Sequence, residues 1–321
     1  MRENTIALTG LARDTLKGLS AEPKYLLPKY FYDDRGSRIF AEIMQMPEYY
    51  LTDCEMEIFR EQKEQIVHLL TDKEKTQEII ELGPGDGIKT EHLLKQLTDN
   101  HVPFKYIPVD ISSKANNDLV KRLVSVIPGI NIKPETGDFF KLMKEMIRQE
   151  STGRSILFLG SSIGNLSDDE LNDFLSKLSA LTRTNDRVLI GFDLKKSPSV
   201  IMDAYDDPHG LTRDFNLNQL VRLNRELDAD FDLQLFKHKQ VYEAHSGEMK
   251  SYLVSLEDQE VNIAGLGTKV RFRKGESIFM ELSRKFDMEQ VNHMAASFGF
   301  KILKNFTDSR NYFLDSLWIK L

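Results

Sequence analysis

Gln77-Glu78-Ile79-Ile80-Glu81-Leu82-Gly83-Pro84-Gly85-Asp86-Gly87-Ile88-Lys89 is the stretch whose reading decides the fold. Ile79, Ile80 and Leu82 make a short apolar strand, three glycines follow at alternate positions, and Leu93, Leu94 and Leu97 then recur at helical spacing. Glycine lacks Cβ and accepts positive φ, so such a loop lets a ligand approach the backbone. A nicotinamide-binding fingerprint would set its third glycine three residues after the second, where this chain has Ile88. The spacing is G-x-G-x-G, which disfavours a nucleotide-binding oxidoreductase.

The same unit recurs outward from this loop. The pattern predicts strands at 106–111, near Ile132, at 156–159 and at 187–194, with helices at 115–126, 140–148 and 168–181. Strands alternating with helices point to an α/β fold with a parallel sheet covered on both faces, and ligands on such sheets bind at the carboxyl ends of the strands. After Leu194 the alternation stops. Residues 204–230 read as a polar helical stretch, while 240–256 and 269–286 alternate apolar and polar residues as antiparallel strands do. The last 35 residues resume the earlier style, with a helix at 288–298, Gly299 as its stop, and strands at 301–306 and 312–319. The first 60 residues are helical with aromatic and proline punctuation. Two interleaved domains are therefore expected: 1–60 with 197–286 as a discontinuous α+β accessory domain, and 61–196 with 287–321 as the glycine-loop domain.

Composition sets outer bounds. At roughly 150 residues per domain, 321 residues make one large domain or two intimate ones. With 40% hydrophobic and 29% charged residues the chain should fold, and no apolar run approaches membrane-spanning length. A net charge of -7 gives no general attraction to nucleic acid or anionic lipid. Cys54 is the single cysteine, so an internal disulfide and a cysteine-based zinc site are excluded. The N-terminal residues 1–10 lack the basic and apolar segments of a secretory signal, and a cytoplasmic protein is expected.

Three strand-end features stand in register: Glu81 before the glycines, Asp110 closing the next strand, and Asp138 beside Phe139 closing the third. Together they resemble the Rossmann-like sheet of class I S-adenosylmethionine-dependent methyltransferases. Further segments resemble one branch, the histidine Nα-methyltransferases of ergothioneine biosynthesis. They are 28–33 (PKYFYD), 36–40 (GSRIF), 47–50 (PEYY), 160–166 (GSSIGNL), 204–207 (AYDD), 224–231 (NRELDADF) and 281–286 (ELSRKF). They run through both expected domains, and the accessory domain would then bind substrate.

The resemblance implies three successive methyl transfers from S-adenosyl-L-methionine to the α-amine of L-histidine, giving histidine betaine (hercynine). It implies Tyr32 and Asn165 as catalytic residues, and Tyr32, Phe40, Gly160, Asn165, Tyr205, Met249, Glu281 and Ser283 around the substrate. Glu281 and Ser283, two apart on a strand, share a face and suit the two ring nitrogens of an imidazole. For the cofactor it implies Tyr49, Gly83, Gly85, Lys89, Asp110, Asp138 and Phe139, with Lys89 directed at the methionine carboxylate. No metal is implied, and a chain acting as a monomer on a small molecule is expected, without nucleic acid or membrane. The rival substrate is tryptophan or another aromatic amino acid amine, whose pocket would carry apolar or small residues where Glu281 and Met249 stand.

Each residue also has a plainer reading. Tyr30, Phe31, Phe40 and Tyr50 are of the type that packs in cores. The seven histidines show no metal-binding spacing. Asp203, Asp206 and Asp207 read as a solvated helix terminus, and Cys54 as a small buried hydrophobe.

Overall fold

The strand Gln77–Leu82 is buried at every residue in the computed structural model, which describes residues 10–71, 76–146 and 153–321. The expected helix end at 147–148 and most of the N-terminal segment read for a secretory signal lie outside the described residues. Burial on both faces explains the continuous apolar run, because a central parallel strand leaves neither face to water. Gln77–Leu82 pairs in parallel with Phe104–Asp110 on one side and Gly153–Phe158 on the other. The seven-stranded sheet runs Phe300–Thr307, Phe313–Lys320, Arg187–Asp193, Gly153–Phe158, Gln77–Leu82, Phe104–Asp110, Glu135–Thr136.

The strands that alternate with helices pair in parallel, as expected, and the last two make the sheet mixed. Phe313–Lys320 runs antiparallel to both Arg187–Asp193 and Phe300–Thr307. The reason is the short link: residues 308–312 make a turn in which Asp308 Oδ1 accepts from the N–H groups of Tyr312 and Phe313, each at 2.7 Å. A parallel return would need a crossover of a dozen residues or more. The expected strand near Ile132 reduces to an isolated bridge with Tyr106 and the two-residue strand Glu135–Thr136.

The described residues divide into two units: those of Met1–Tyr50 with Lys196–Ser283, and those of Leu51–Lys195 with Arg284–Leu321. The first break falls after residue 50 instead of 60. The helix Tyr50–Glu61 explains the shift, since Ile58 and Phe59 are fully buried and Glu55 bonds to Lys89 and Gly160 of the sheet unit.

The sheet unit has its own core, including Ile80, Ile107, Ile156, Val188, Phe192 and Trp318. The helix Asp168–Leu181, which packs Leu171, Leu175 and Leu178 into it, is fixed by a capping box of Ser167 and Glu170. The other unit holds a sheet in the order Lys24–Tyr25, Ser277–Arg284, Glu248–Ser255, Phe236–Glu243, and a hairpin of Gln259–Ile263 with Thr268–Phe272. Its core joins Phe31, Phe215, Leu220, Leu253, Ile278 and Met280. Among the described residues, no helix is long and apolar enough to cross a membrane.

Candidate active site

In the sheet unit the glycine loop leaves Leu82 with Gly83, Gly85 and Gly87 at φ of 58°, 59° and 67°. A Cβ added at Gly83 or Gly85 would meet nothing within 4 Å, so both present open backbone; one at Gly87 would collide with Leu119. Left-handed φ favours glycine at all three positions, while close packing adds a second reason only at Gly87. Glu81 is buried within the sheet unit. Its carboxyl accepts from Thr90 Oγ1 at 2.7 Å and Tyr106 OH at 2.6 Å, and burial pushes it up to about 7.

Asp110 and Asp138 sit at neighbouring strand ends. Asp110 pairs with Thr136 in register, and its backbone oxygen accepts from Gly137 N–H at 3.0 Å. The Asp110 carboxyl accepts from Ser112 N–H at 2.7 Å, yet burial holds it above its ordinary value. Asp138 is exposed and caps the helix Phe139–Met146 through Lys141 N–H at 2.9 Å. Phe139 stacks edgewise on Phe140 at 5.1 Å.

Lys89, expected to point at a ligand carboxylate, already holds an anion of the chain. It ion-pairs with Glu55, which is fully buried, and the other oxygen of Glu55 accepts from Gly160 N–H at 2.7 Å. Burial works against the Lys89 charge, but Glu55 outweighs it and the ammonium is held above its ordinary value. Gly160, at φ 70°, faces Lys89: a Cβ there would lie 3.3 Å from Nζ. Asn165 closes the short helix Ser162–Asn165 and is exposed. That turn is fixed by Gly164, where a Cβ would stand 2.7 Å from Arg284 O, and by Ser161 Oγ, which accepts from Asp193 N–H.

In the other unit, Asp33 caps the helix Asp34–Ile43 by accepting from Gly36 N–H at 2.7 Å, and also takes Asn218 and Arg225. This fixes Tyr32 just before the helix and Phe40 within it. Tyr32 meets Phe40 at 5.4 Å and Phe215 at 5.5 Å, both edge-on, and Phe40 meets Tyr49 at 6.2 Å. Tyr205 ends the helix Pro198–Tyr205 and donates to Ser283 Oγ at 2.7 Å, both residues buried. Glu281 lies two residues earlier on the same strand, and Met249 is buried on the adjacent one. Tyr32 is 48% exposed, yet the surrounding protein first, then Glu281 and Tyr205, push its phenol well above the ordinary value. Tyr32, Tyr205, Glu281 and Ser283 thus form one electrostatic neighbourhood.

A model of histidine-specific, S-adenosylmethionine-dependent methyltransferases matches residues 11–320. A histidine N-alpha-methyltransferase of Mycolicibacterium smegmatis is 35% identical over 314 residues, 98% of this chain and 96% of that protein. The chain belongs to the histidine-specific methyltransferase family. An N-methyltransferase of Aspergillus flavus, imqF, is 25% identical over 93% of this chain and 82% of that one. Among solved structures the chain is similar to the magnesium protoporphyrin IX methyltransferase of Synechocystis PCC 6803, at 13% identity and a TM-score of 0.45 over 92% and 98% of the two chains.

The sheet unit of this methyltransferase fits S-adenosylmethionine. Open backbone at Gly83 and Gly85 allows close approach, and the Asp110 carboxyl suits hydroxyl donors. An ammonium has three donors, so Lys89 can serve Glu55 and a ligand carboxylate together. Ile111, beside Asp110 and 77% exposed, offers apolar surface that the sequence reading passed over. Phe215 and Glu55 were also missed. Phe215 looks like any core residue of an amphipathic helix, and Glu55 like any surface glutamate, until their remote neighbours are known.

Proposed function

We propose that the chain transfers three methyl groups in succession from S-adenosyl-L-methionine to the α-amine of L-histidine, yielding hercynine for ergothioneine biosynthesis. The observation that carries this reading is the Tyr205–Ser283 hydrogen bond beside Glu281 and Tyr32. Glu281 would accept from one imidazole nitrogen, and Ser283, already taking the Tyr205 proton, has its own O–H for the other. An indole has a single N–H and would leave one of the two without a partner, at a cost of roughly 1–3 kcal/mol.

When bound, S-adenosylmethionine supplies a methyl group on a positively charged sulfur. The chain's part is to bind, orient and keep the amine neutral. Gly83, Gly85, Lys89, Asp110, Asp138, Phe139 and Tyr49 would hold the cofactor; Phe40, Met249, Gly160, Asn165, Tyr205, Glu281 and Ser283 would hold the amino acid. Orientation of this kind is worth up to about 7–11 kcal/mol in favourable cases. Tyr32 keeps its proton at neutral pH, so it serves as a neutral hydrogen-bond partner and relay, not as a phenolate base. The α-amine must shed a proton before it can take a methyl group, and water or the Tyr32 relay can receive it. As methyl groups accumulate the amine loses N–H donors, so the imidazole and carboxylate must carry the hold. The reading calls for no metal or macromolecular partner, and places a monomer in the cytoplasm.

Incubation of the purified chain with S-adenosylmethionine and each free aromatic amino acid, followed by mass spectrometry, tests the reading. Histidine is expected to gain the mass of three CH2 units while tryptophan, tyrosine and phenylalanine stay unmodified. Absence of any gain on histidine would sink the activity, and a gain on tryptophan alone would move it to the rival substrate.

A further inference from the structure

Behind Lys89 and Gly160 lies a second carboxyl that the proposed chemistry does not use. Asp315, in the middle of Phe313–Lys320, is fully buried, and neither of its oxygens has a donor partner among the described residues. Beside it lies the carboxyl of Glu55, itself an acceptor with both oxygens in use: one takes Gly160 N–H, the other Lys89. A buried carboxylate with no donor, set beside a second one, is strongly disfavoured, and a proton on one of the two relieves both costs. Glu55 already accepts from an ammonium and a backbone N–H, whereas Asp315 has no donor among the described residues, so the proton is better placed on Asp315. The strand opposite makes room for the pair: Asp315 is in register with Gly191, where a Cβ would stand 2.8 Å from Glu55 Oε1.

We propose that Asp315 is a neutral carboxylic acid that donates to Glu55, and that this pair positions the Lys89 ammonium and the Gly160 backbone for the cofactor. The ionisable groups facing this space are Glu55 from Tyr50–Glu61, Lys89 from Ile88–Asp99, Glu81 from Gln77–Leu82, and Asp315 itself. With Asp315 neutral, Glu55 and Lys89 cancel. With Asp315 charged, excess negative charge would be buried, which a protein interior strongly disfavours. In agreement, burial and the adjacent Glu55 hold the Asp315 carboxyl far above the carboxylate range. Glu55 and Asp315 touch no ligand in this assignment; they act through Lys89 and Gly160. The role given to those two rests on the function proposed above, whereas the protonation of Asp315 does not.

Two measurements on the full chain test the pair. Infrared spectra in heavy water near neutral pH are expected to show a carboxylic acid C=O stretch that is missing from Asp315→Asn; no such difference would overturn the assignment of the proton. Calorimetric titration with S-adenosylhomocysteine is expected to give an affinity for Asp315→Asn within about twofold of the parent, since the amide still donates to Glu55. Glu55→Gln, which removes the charge that holds Lys89, is expected to lose roughly tenfold or more. Equal losses in the two variants would show an ionised Asp315, and an unchanged affinity in Glu55→Gln would remove the positioning role. Failure of the parent chain to bind S-adenosylhomocysteine would strike the functional reading and leave the infrared result standing.

Discussion

Glu281 and Ser283 differ in what surrounds them. Ser283 is buried and takes the Tyr205 hydroxyl proton, whereas Glu281 is only half-buried and acts on the Tyr32 phenol through its charge. A carboxylate held in that setting is suited to an N–H donor, and a hydrogen bond to a charged group is worth roughly 1.5–3 kcal/mol. Replacing Glu281 with Ala is therefore expected to raise KM for histidine by about tenfold to a hundredfold. Affinity for S-adenosylhomocysteine should stay near that of the parent. Steady-state kinetics beside calorimetry read the two separately, and equal losses in both would contradict the imidazole role. At this scale the sequence was informative where chemistry is local. Tyr32, Tyr205, Glu281 and Ser283 stood in recognisable segments; Glu55 did not, because its importance comes from Gly160, 105 residues away, and from complete burial. Cys54 shows the opposite case: accepting from Arg310, and with its thiol pushed up to about 12 by burial, it is the small buried residue that the sequence suggested.

Among the elements, the helix Leu211–Leu227 departs most from its sequence reading, since the acidic run before it is not merely solvated. Asp207 is 6% exposed and accepts from Leu211 N–H at 2.9 Å and Thr212 N–H at 2.8 Å, satisfying two donors of the first turn. Despite the opposing effect of burial, these bonds lower its carboxyl below the ordinary value. A group with a depressed folded value stabilises the fold above its unfolded value, and that contribution fades as pH falls through the folded one. Asp207→Ala is expected to cost about 1–2 kcal/mol at neutral pH, read as a lowered urea midpoint, with the difference from the parent closing in acid. An unchanged midpoint would refute the cap. Legibility follows the same physics. Asp168–Leu181 was placed without error because Ser167 and Glu170 signal its start in adjacent sequence. By contrast, the alternation over 269–286 shows strand character without its break: the chain turns at Gly275, φ 84°, separating Thr268–Phe272 from Ser277–Arg284. Period-two patterning survives such a turn, so alternation alone did not reveal it.

At the scale of the whole molecule, the net charge of -7 says little about acid stability, because the groups that govern it oppose one another by unit. In the unit of Phe236–Glu243, His238 is 8% exposed, its Nε2 is buried without a partner among the described residues, and burial lowers it from 6.5 to about 4. Asp206 and Asp207 favour its charge and Arg213 opposes it, but burial prevails. The unfolded chain therefore takes up this proton first, and stability is lost as pH falls from 6.5 toward 4, by on the order of 3 kcal/mol at most. In the sheet unit the sign reverses. Glu81 is raised from 4.5 to about 7, so its ionisation opposes folding above 7 and the penalty is relieved as pH falls toward 4.5. Hydrogen exchange, corrected for intrinsic rates and compared at about pH 7.5 and 5.5, is expected to show opposite trends in the two units. Amides of Phe236–Glu243 and Glu248–Ser255 should lose protection on acidification, and those of Gln77–Leu82 and Phe104–Asp110 should keep or gain it. His238→Phe, which removes the titrating ring, is expected to abolish the loss in the first pair of strands. Equal loss of protection in both units, or a loss that persists in His238→Phe, would mean that neither buried group sets the acid response.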